Sequence, residues 1–203
     1  MEKFDNASLF KISYGLYVVT CNDGEKDNGL IVNTVVQQSS TPLTLSVSIS
    51  KQNYSHDVIK STGKMNVNCL NTDTPFDIFK NFGFQSGKDN DKFKDVFHWK
   101  SQNGLAVLSG EIVNAFFSLE VLEYVDLGSH GLFICKVTEA THMGDEPSMT
   151  YDYYHQNVKP KKQEKKKGYV CKICGYVHES DTLPDDFICP ICKHGATDFE
   201  KIE

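Results

Sequence analysis

The chain has 203 residues, a formal net charge of -6, and 39% hydrophobic against 24% charged residues. That composition fits a folded globular protein and excludes wholesale disorder; the acidic balance excludes the basic footprint of a general nucleic-acid binder. All 21 cations are lysines, so any phosphate must be held by ammonium groups, hydroxyls or backbone N–H rather than by a guanidinium fork.

Met1-Glu-Lys-Phe-Asp-Asn6 mixes charges and lacks an apolar run, so no secretory signal is expected and the expected location is the cytoplasm. Tyr14 to Cys21 and Gly29 to Val36 are strand-like runs. Leu30 to Ser50 carries no charge, but Asn33, Thr34, Gln37, Gln38, Ser39, Ser40 and Pro42 make a lipid span very costly. No membrane association is expected, and the stretch reads as a pair of strands. Leu43 to Ser50 alternates apolar and polar residues, which predicts a strand with one wet face. Ser55 to Thr62 predicts a helix ended by Gly63, and Lys64 to Cys69 a strand with Met65, Val67 and Cys69 inward. Thr74-Pro75 opens a second helix by the N-cap and first-turn proline rule, with Gly83 to end it. Leu105 to Val113, Phe117 to Tyr124 and Leu132 to Thr138 supply further strands. About seven short strands with few helices predict a mainly β fold, an antiparallel barrel.

Cys21, Cys69 and Cys135 stand singly and read as core thiols. Trp99 reads as structural packing near a loop edge. Lys159 to Lys167 has no apolar side chain, and its six lysines against one glutamate make it +5. It joins residues 1–158 (12 lysines, 19 acids) to residues 168–203 (3 lysines, 7 acids). The stretch reads as an exposed linker, with a docking site for an acidic partner as the alternative.

Beyond it, Cys171-Lys-Ile-Cys174 and Cys189-Pro-Ile-Cys192 place four cysteines within 22 residues. Each pair sits on a tight turn whose backbone N–H groups can face the thiolates, and two such pairs close a tetrahedral S₄ site. Such a site suits iron or zinc, and spacing alone does not choose between them. The flanking residues are more specific. Tyr169-Val-Cys-Lys-Ile-Cys-Gly-Tyr176, Leu183-Pro-Asp-Asp-Phe-Ile-Cys-Pro-Ile-Cys192 and Asp198-Phe-Glu200 closely resemble rubredoxin. The resemblance implies that Cys171, Cys174, Cys189 and Cys192 ligate one iron, with Tyr169, Tyr176, Phe187 and Phe199 as an aromatic mini-core. The short spacing between Cys174 and Cys189 is similar to that of the rubredoxin domains fused to rubrerythrins. Lys193 stands where the family usually has glycine, so either that residue tolerates positive φ or the turn flattens and a hydrogen bond to sulfur weakens.

In the first region, Asn28 to Pro42 offers hydroxyls and amides that suit a polar planar ring, or merely a polar strand edge. Ser50-Lys-Gln-Asn-Tyr-Ser-His56 joins one cation, hydroxyls and a helix N-terminus, a setting suited to phosphate or to an N-capped surface helix. Tyr14-Gly-Leu-Tyr-Val-Val-Thr20, these two segments, Gly63 to Leu70, Ser129-His-Gly-Leu-Phe133 and Tyr151-Asp-Tyr-Tyr-His155 occur in the order found in flavin reductase-like FMN-binding split barrels. Residues 1–158 resemble that family. The resemblance implies that Asn33, Thr34, Val35, Val36 and Gln37 line the isoalloxazine and that Ser50, Lys51, Asn53, Tyr54 and Ser55 take the phosphate side. It also implies a homodimer and a catalytic candidate, His130, although Ser129 replaces the family's usual aspartate and leaves a structural role open.

The fusion resembles the high-molecular-weight rubredoxins of anaerobic bacteria. It implies an NAD(P)H-dependent oxidoreductase with FMN and one Fe(Cys)₄ centre that reduces a partner such as a diiron flavoprotein. With no arginine available for a 2′-phosphate, NADH is the expected donor. Two alternatives stand beside this: a flavin reductase releasing reduced FMN with a structural zinc clip, and a pure electron carrier without nicotinamide activity.

Overall fold

The computed structural model describes residues 5–160 and 168–202, so most of the expected linker, residues 161–167, lies outside the described residues. In chain order the elements are β1 (Tyr17–Asn22), β2 (Asp27–Val32), β3 (Val35–Ser40), β4 (Leu43–Ser50), α1 (Tyr54–Thr62), β5 (Lys64–Leu70) and α2 (Phe76–Phe84). Two short strands follow, β6 (His98–Lys100) and β7 (Ala106–Leu108), then β8 (Val113–Asp126) and β9 (His130–His142). Seven strands form one antiparallel sheet in the order β2-β1-β5-β8-β9-β4-β3. Its edge strands, β2 and β3, are consecutive in the chain and joined only by Asn33-Thr34. The sheet therefore curls until both edges return to one connection, which makes it a barrel split at that seam. Among the described residues no helix is long and apolar enough to cross a membrane.

Several elements differ from expectation. The uncharged stretch forms β3, β4 and part of β2 rather than two strands, because Thr34 turns out of the ladder and donates its hydroxyl to the Ser48 carbonyl at 2.6 Å. β8 and β9 run for 14 and 13 residues, far longer than the short strands expected. The wet faces of β4 and β5 are covered as well: Thr44, Ser46, Asn66 and Asn68 are all buried. Two apolar clusters explain this. One fills the barrel with Val19, Val47, Met65, Val67 and Phe133; the other packs Leu16, Val18, Phe79, Phe82, Leu108 and Met149 outside it. Adjacent residues such as Val18 and Val19 thus serve opposite cores. Polar side chains trapped between the layers must be satisfied. Asn68 donates to the Val18 carbonyl (3.0 Å) and accepts from Leu108 N–H (3.0 Å), while Asn66 donates to Ser101 Oγ and accepts from Asn103. Cys69, expected inward, is only half-buried.

α1 ends as expected. Gly63 lies at φ 70° and its N–H bonds the Ile59 carbonyl, a left-handed cap suited to a residue without Cβ. α2 departs at both ends. Pro75 is the N-cap rather than a first-turn residue, and Thr74 bonds the Asn71 and Ile112 carbonyls. Gly83 lies within the helix, facing Ile31 at ordinary contact distance, and the helix ends at Phe84.

In the C-terminal region, β10 (Gly168–Cys171), β11 (Val177–His178) and β12 (Phe199–Ile202) form a separate sheet in the order β11-β10-β12. Gly168 takes φ 151° against the His178 carbonyl oxygen, where a Cβ would collide. Phe199 is buried and meets Phe187 edge-on at 5.3 Å, and Tyr169 and Tyr176 pack against the same cluster. These are the four aromatics expected there.

Replacing Asn68 by alanine should leave Leu108 N–H and Val18 C=O without partners and lower stability by about 1–3 kcal/mol. The check is a urea titration, with a lower midpoint at unchanged m-value expected; an unchanged midpoint would show that the buried amide contributes nothing.

Candidate metal centre and adjoining cavity

The C-terminal sheet and two turns bring Cys171, Cys174, Cys189 and Cys192 together, all buried, with their sulfurs within 4.8 Å of one another. Cys171 Sγ lies 3.6 Å from Cys192 Sγ, and Cys174 Sγ lies 3.5 Å from Cys189 Sγ. Metal–sulfur bonds of about 2.3 Å in a tetrahedron require sulfur separations of roughly 3.8 Å. The cage is therefore sized for one S₄ metal ion, and its soft donors suit iron or zinc. The two turns repeat one geometry. Gly175 N–H bonds the Cys171 carbonyl, and Lys193 N–H bonds the Cys189 carbonyl; their φ values are 80° and 64°. Lys193 thus holds the left-handed conformation without flattening, and the next N–H, that of His194, still donates to Cys192 sulfur. Tyr176 N–H donates likewise to Cys174, and the N–H groups of Ile191 and Cys192 to Cys189. Burial pushes the Cys174 thiol up to about 11 and the Cys192 thiol higher still. At Cys189 burial also pushes up, but the two N–H donors and the neighbouring thiols outweigh it and bring that thiol below its ordinary value. Loading such a cage releases protons, so metal affinity falls as pH falls.

A cavity of about 190 Å³ lies at the N-terminus of α1. Asn53, Tyr54 and Ser55 line it, and Asn53 is an N-cap without a side-chain cap bond. Backbone N–H groups at an uncapped helix start favour an anion. Its floor holds Asn28 and Lys92, both buried. Lys92 Nζ donates to the Gly29 carbonyl at 2.8 Å and the Phe82 carbonyl at 3.3 Å. Burial lowers its ammonium to about 8. Asn28 Nδ2 donates to Ser55 Oγ at 2.8 Å, and its Oδ1 is buried without a partner among the described residues. Phe84 and, from the metal region, His194 complete the wall.

The remaining candidates fall elsewhere. Ser50 pairs with His130 across β4 and β9, and Val35 with Val47 across β3 and β4. Asn33, Thr34 and Val35 are half-buried beside that end of β4, whereas Val36 and Gln37 are exposed on the edge strand. None of these lines the α1 cavity. Lys51, expected as the phosphate cation, forms an ion pair with Asp126 at 2.6 Å. Tyr54 donates its hydroxyl to Asp23. His130 is exposed, with Nδ1 2.9 Å from Ser129 Oγ. Cys21, Cys69 and Cys135 are pushed up to about 12 by burial, which makes them neutral thiols. Sequence reading missed Lys92, Phe84 and His194. Only the odd Lys193-His194 sequence after the last cysteine offered any signal.

Glycine relieves a left-handed residue of about 1 kcal/mol, so Lys193→Gly should slow metal loss to a chelator about fivefold, read from the decay of the metal's absorption. Equal or faster loss would show that Lys193 carries no strain. At Lys92 the folded ammonium titrates at about 8 and the unfolded one at 10.5. Between those values the unfolded chain holds the extra proton, so this site adds stability as pH rises, on the order of 1 kcal/mol per pH unit. Urea midpoints at pH 7.5 and 9 should show that increment in the parent chain and not in Lys92→Met; equal slopes in the two would contradict it.

A family model described as the flavin reductase like domain matches residues 9–162, and one described as the rubrerythrin, rubredoxin-like domain matches residues 169–200. The chain is 34% identical over 229 aligned residues to the high molecular weight rubredoxin of Moorella thermoacetica, covering 98% of this chain and 100% of that protein. It is 32% identical to the ferric-chelate reductase (NAD(P)H) of Archaeoglobus fulgidus, covering 77% of this chain and 92% of that protein. An FMN-binding protein from Thermus thermophilus shares the fold, with a TM-score of 0.60 at 22% identity, over 70% of this chain and 78% of its own. With a barrel and a four-cysteine cage matched along almost its whole length, the chain belongs to the flavin reductase-like family, as a member that carries a C-terminal rubredoxin-like domain.

Proposed function

We propose that this chain is an oxidoreductase that takes electrons from NADH at FMN and passes them through an Fe(Cys)₄ centre to a partner protein such as a diiron flavoprotein. The observation that carries the reading is the S₄ cage held against the barrel of the same chain, with Phe84 of α2 touching the cysteine cluster and lining the α1 cavity. FMN accepts a hydride as an electron pair and returns electrons singly, and a ferric S₄ centre accepts one. The work divides among residues 1–158 as the flavin domain, 159–167 as the linker and 168–203 as the iron domain. Asn53, Tyr54, Ser55 and the start of α1 hold the phosphate side, with Ser50 at the end of β4 and Lys51 on the loop after it. Asn33, Thr34, Val35, Val36 and Gln37 border the ring. His130, exposed and paired with Ser50 across β4 and β9, is the catalytic side chain. Cys171, Cys174, Cys189 and Cys192 hold the iron. The chain works as a homodimer, on the strength of family resemblance. The reductase named for NAD(P)H among its relatives supports a nicotinamide donor, and the absence of arginine favours NADH.

Metal analysis and anaerobic stopped-flow mixing of the full chain with NADH or NADPH test this. The expected protein contains iron, and its flavin bleaches before its iron, faster with NADH. Cys189→Ser should lose iron and keep FMN, retaining NADH oxidation but not partner reduction. His130→Ala should slow flavin bleaching on the order of 10²-fold with FMN binding intact. Zinc in place of iron would favour a flavin reductase with a structural clip, and absence of bleaching would favour a pure carrier; either overturns the proposal.

A further inference from the structure

We propose that Phe84 and Ile173 form a docking seat that holds the metal domain against the flavin domain of its own chain. Phe84 is the last residue of α2 and packs against the cluster formed by the four cysteines and Phe199. Its ring lies 6.1 Å from that of Phe76. On one side it lines the α1 cavity; on the other it borders an apolar cleft with Leu16, Ile31, Phe79 and Tyr154. Ile173, between the first two cysteines, lines that cleft from the metal domain and keeps 41% of its surface exposed. His194 reaches the cavity wall from the same side. The contact thus runs along two neighbouring hollows and meets at Phe84.

So few anchors are far below the roughly 20 residues a side of a stable free complex. The tether changes that balance. Residues 161–167 span at most about 25 Å when extended, and a short linker gives an effective concentration of the order of millimolar. A weak apolar seat is then sufficient in the chain itself and insufficient between separate chains. Ile188, just before Cys189, remains 61% exposed in the docked arrangement, which leaves an apolar approach to the second cysteine pair open to an acceptor. Phe84 is a positioning residue in this scheme. Its functional meaning rests on the electron-transfer reading above, whereas the seat itself does not.

The test uses the full chain loaded with metal and FMN, with Phe84→Asp, Ile173→Asp, their double variant and the conservative Phe84→Leu. Absorption spectra and FMN content verify that each domain is intact. Small-angle scattering should show a larger radius of gyration for both aspartate variants, and hydrogen exchange should show lost protection at the C-terminal turn of α2. The double variant should expand no further than either single one, because both act on one docked state, and Phe84→Leu should stay compact. Transfer from flavin to metal should slow at least tenfold in the aspartate variants only. Ile173 adjoins two ligands, so Phe84→Asp, on the other domain, decides if Ile173→Asp loses metal. Unchanged compactness and protection in Phe84→Asp would overturn the seat, as would expansion that depends on protein concentration, the signature of docking onto a second copy. Expansion of Phe84→Asp in a protein whose metal NADH never reduces would support the seat while removing the electron-transfer reading.

Discussion

A buried ammonium with no carboxylate partner among the described residues holds the site region together. Lys92 bonds the carbonyls of Gly29 on β2 and Phe82 on α2, and its own carbonyl accepts from Asn81 of α2. Burying a cation is expensive unless its protons are used, and here they bind a strand, a helix and the following loop to one another. The cavity floor depends on this, because Asn28 immediately precedes Gly29. The docking seat depends on it too, because Phe84 lies two residues beyond Phe82. Phe93, next to Lys92, meets Phe82 edge-on at 5.3 Å and adds apolar weight to the same joint. The Lys92 ammonium therefore positions both the α1 cavity and the end of α2 that packs against the cysteine cluster.

The two domains are held by different physics. The barrel buries side chains on both faces of its strands, enough apolar surface to stand as a core. The metal domain is far below the size at which burial alone suffices, and its buried cluster is mostly the cysteines themselves with Phe199. Metal ligation supplies the missing folding energy. Phe84 packs against the cysteines themselves, so the metal cage and the contact with α2 draw on the same residues.

What could be read in the sequence follows locality. The two cysteine turns and the aromatic mini-core are short-range patterns, and the cage has the composition expected of it. The strand positions of β4 and β5 were legible from alternation, but not the covering of their polar faces, because Asn66 and Asn68 meet partners 35 to 50 residues away. Gly83 marked a plausible helix end by local rules, while α2 runs through it to Phe84. The clearest gap concerns lysine. Lys51 stood in a suggestive loop and is committed to Asp126, whereas Lys92, in no motif, reaches the cavity. Such a site assembles from residues 28, 53–55, 92 and 194, and no window of sequence contains it.

Gly168 sets a hard edge on evolutionary freedom in this architecture. Its backbone is pressed against the His178 carbonyl, so the first position of the metal domain accepts neither a side chain nor displacement. Insertions at this boundary therefore fall upstream of it, in the lysine-rich spacer. There the entropy of closure changes slowly, by about 0.6 kcal/mol for each doubling of length. A spacer twice as long would shift the docked fraction's equilibrium by only about threefold. Spacer length is thus nearly neutral ground on which related chains can drift, while the glycine that ends it is not.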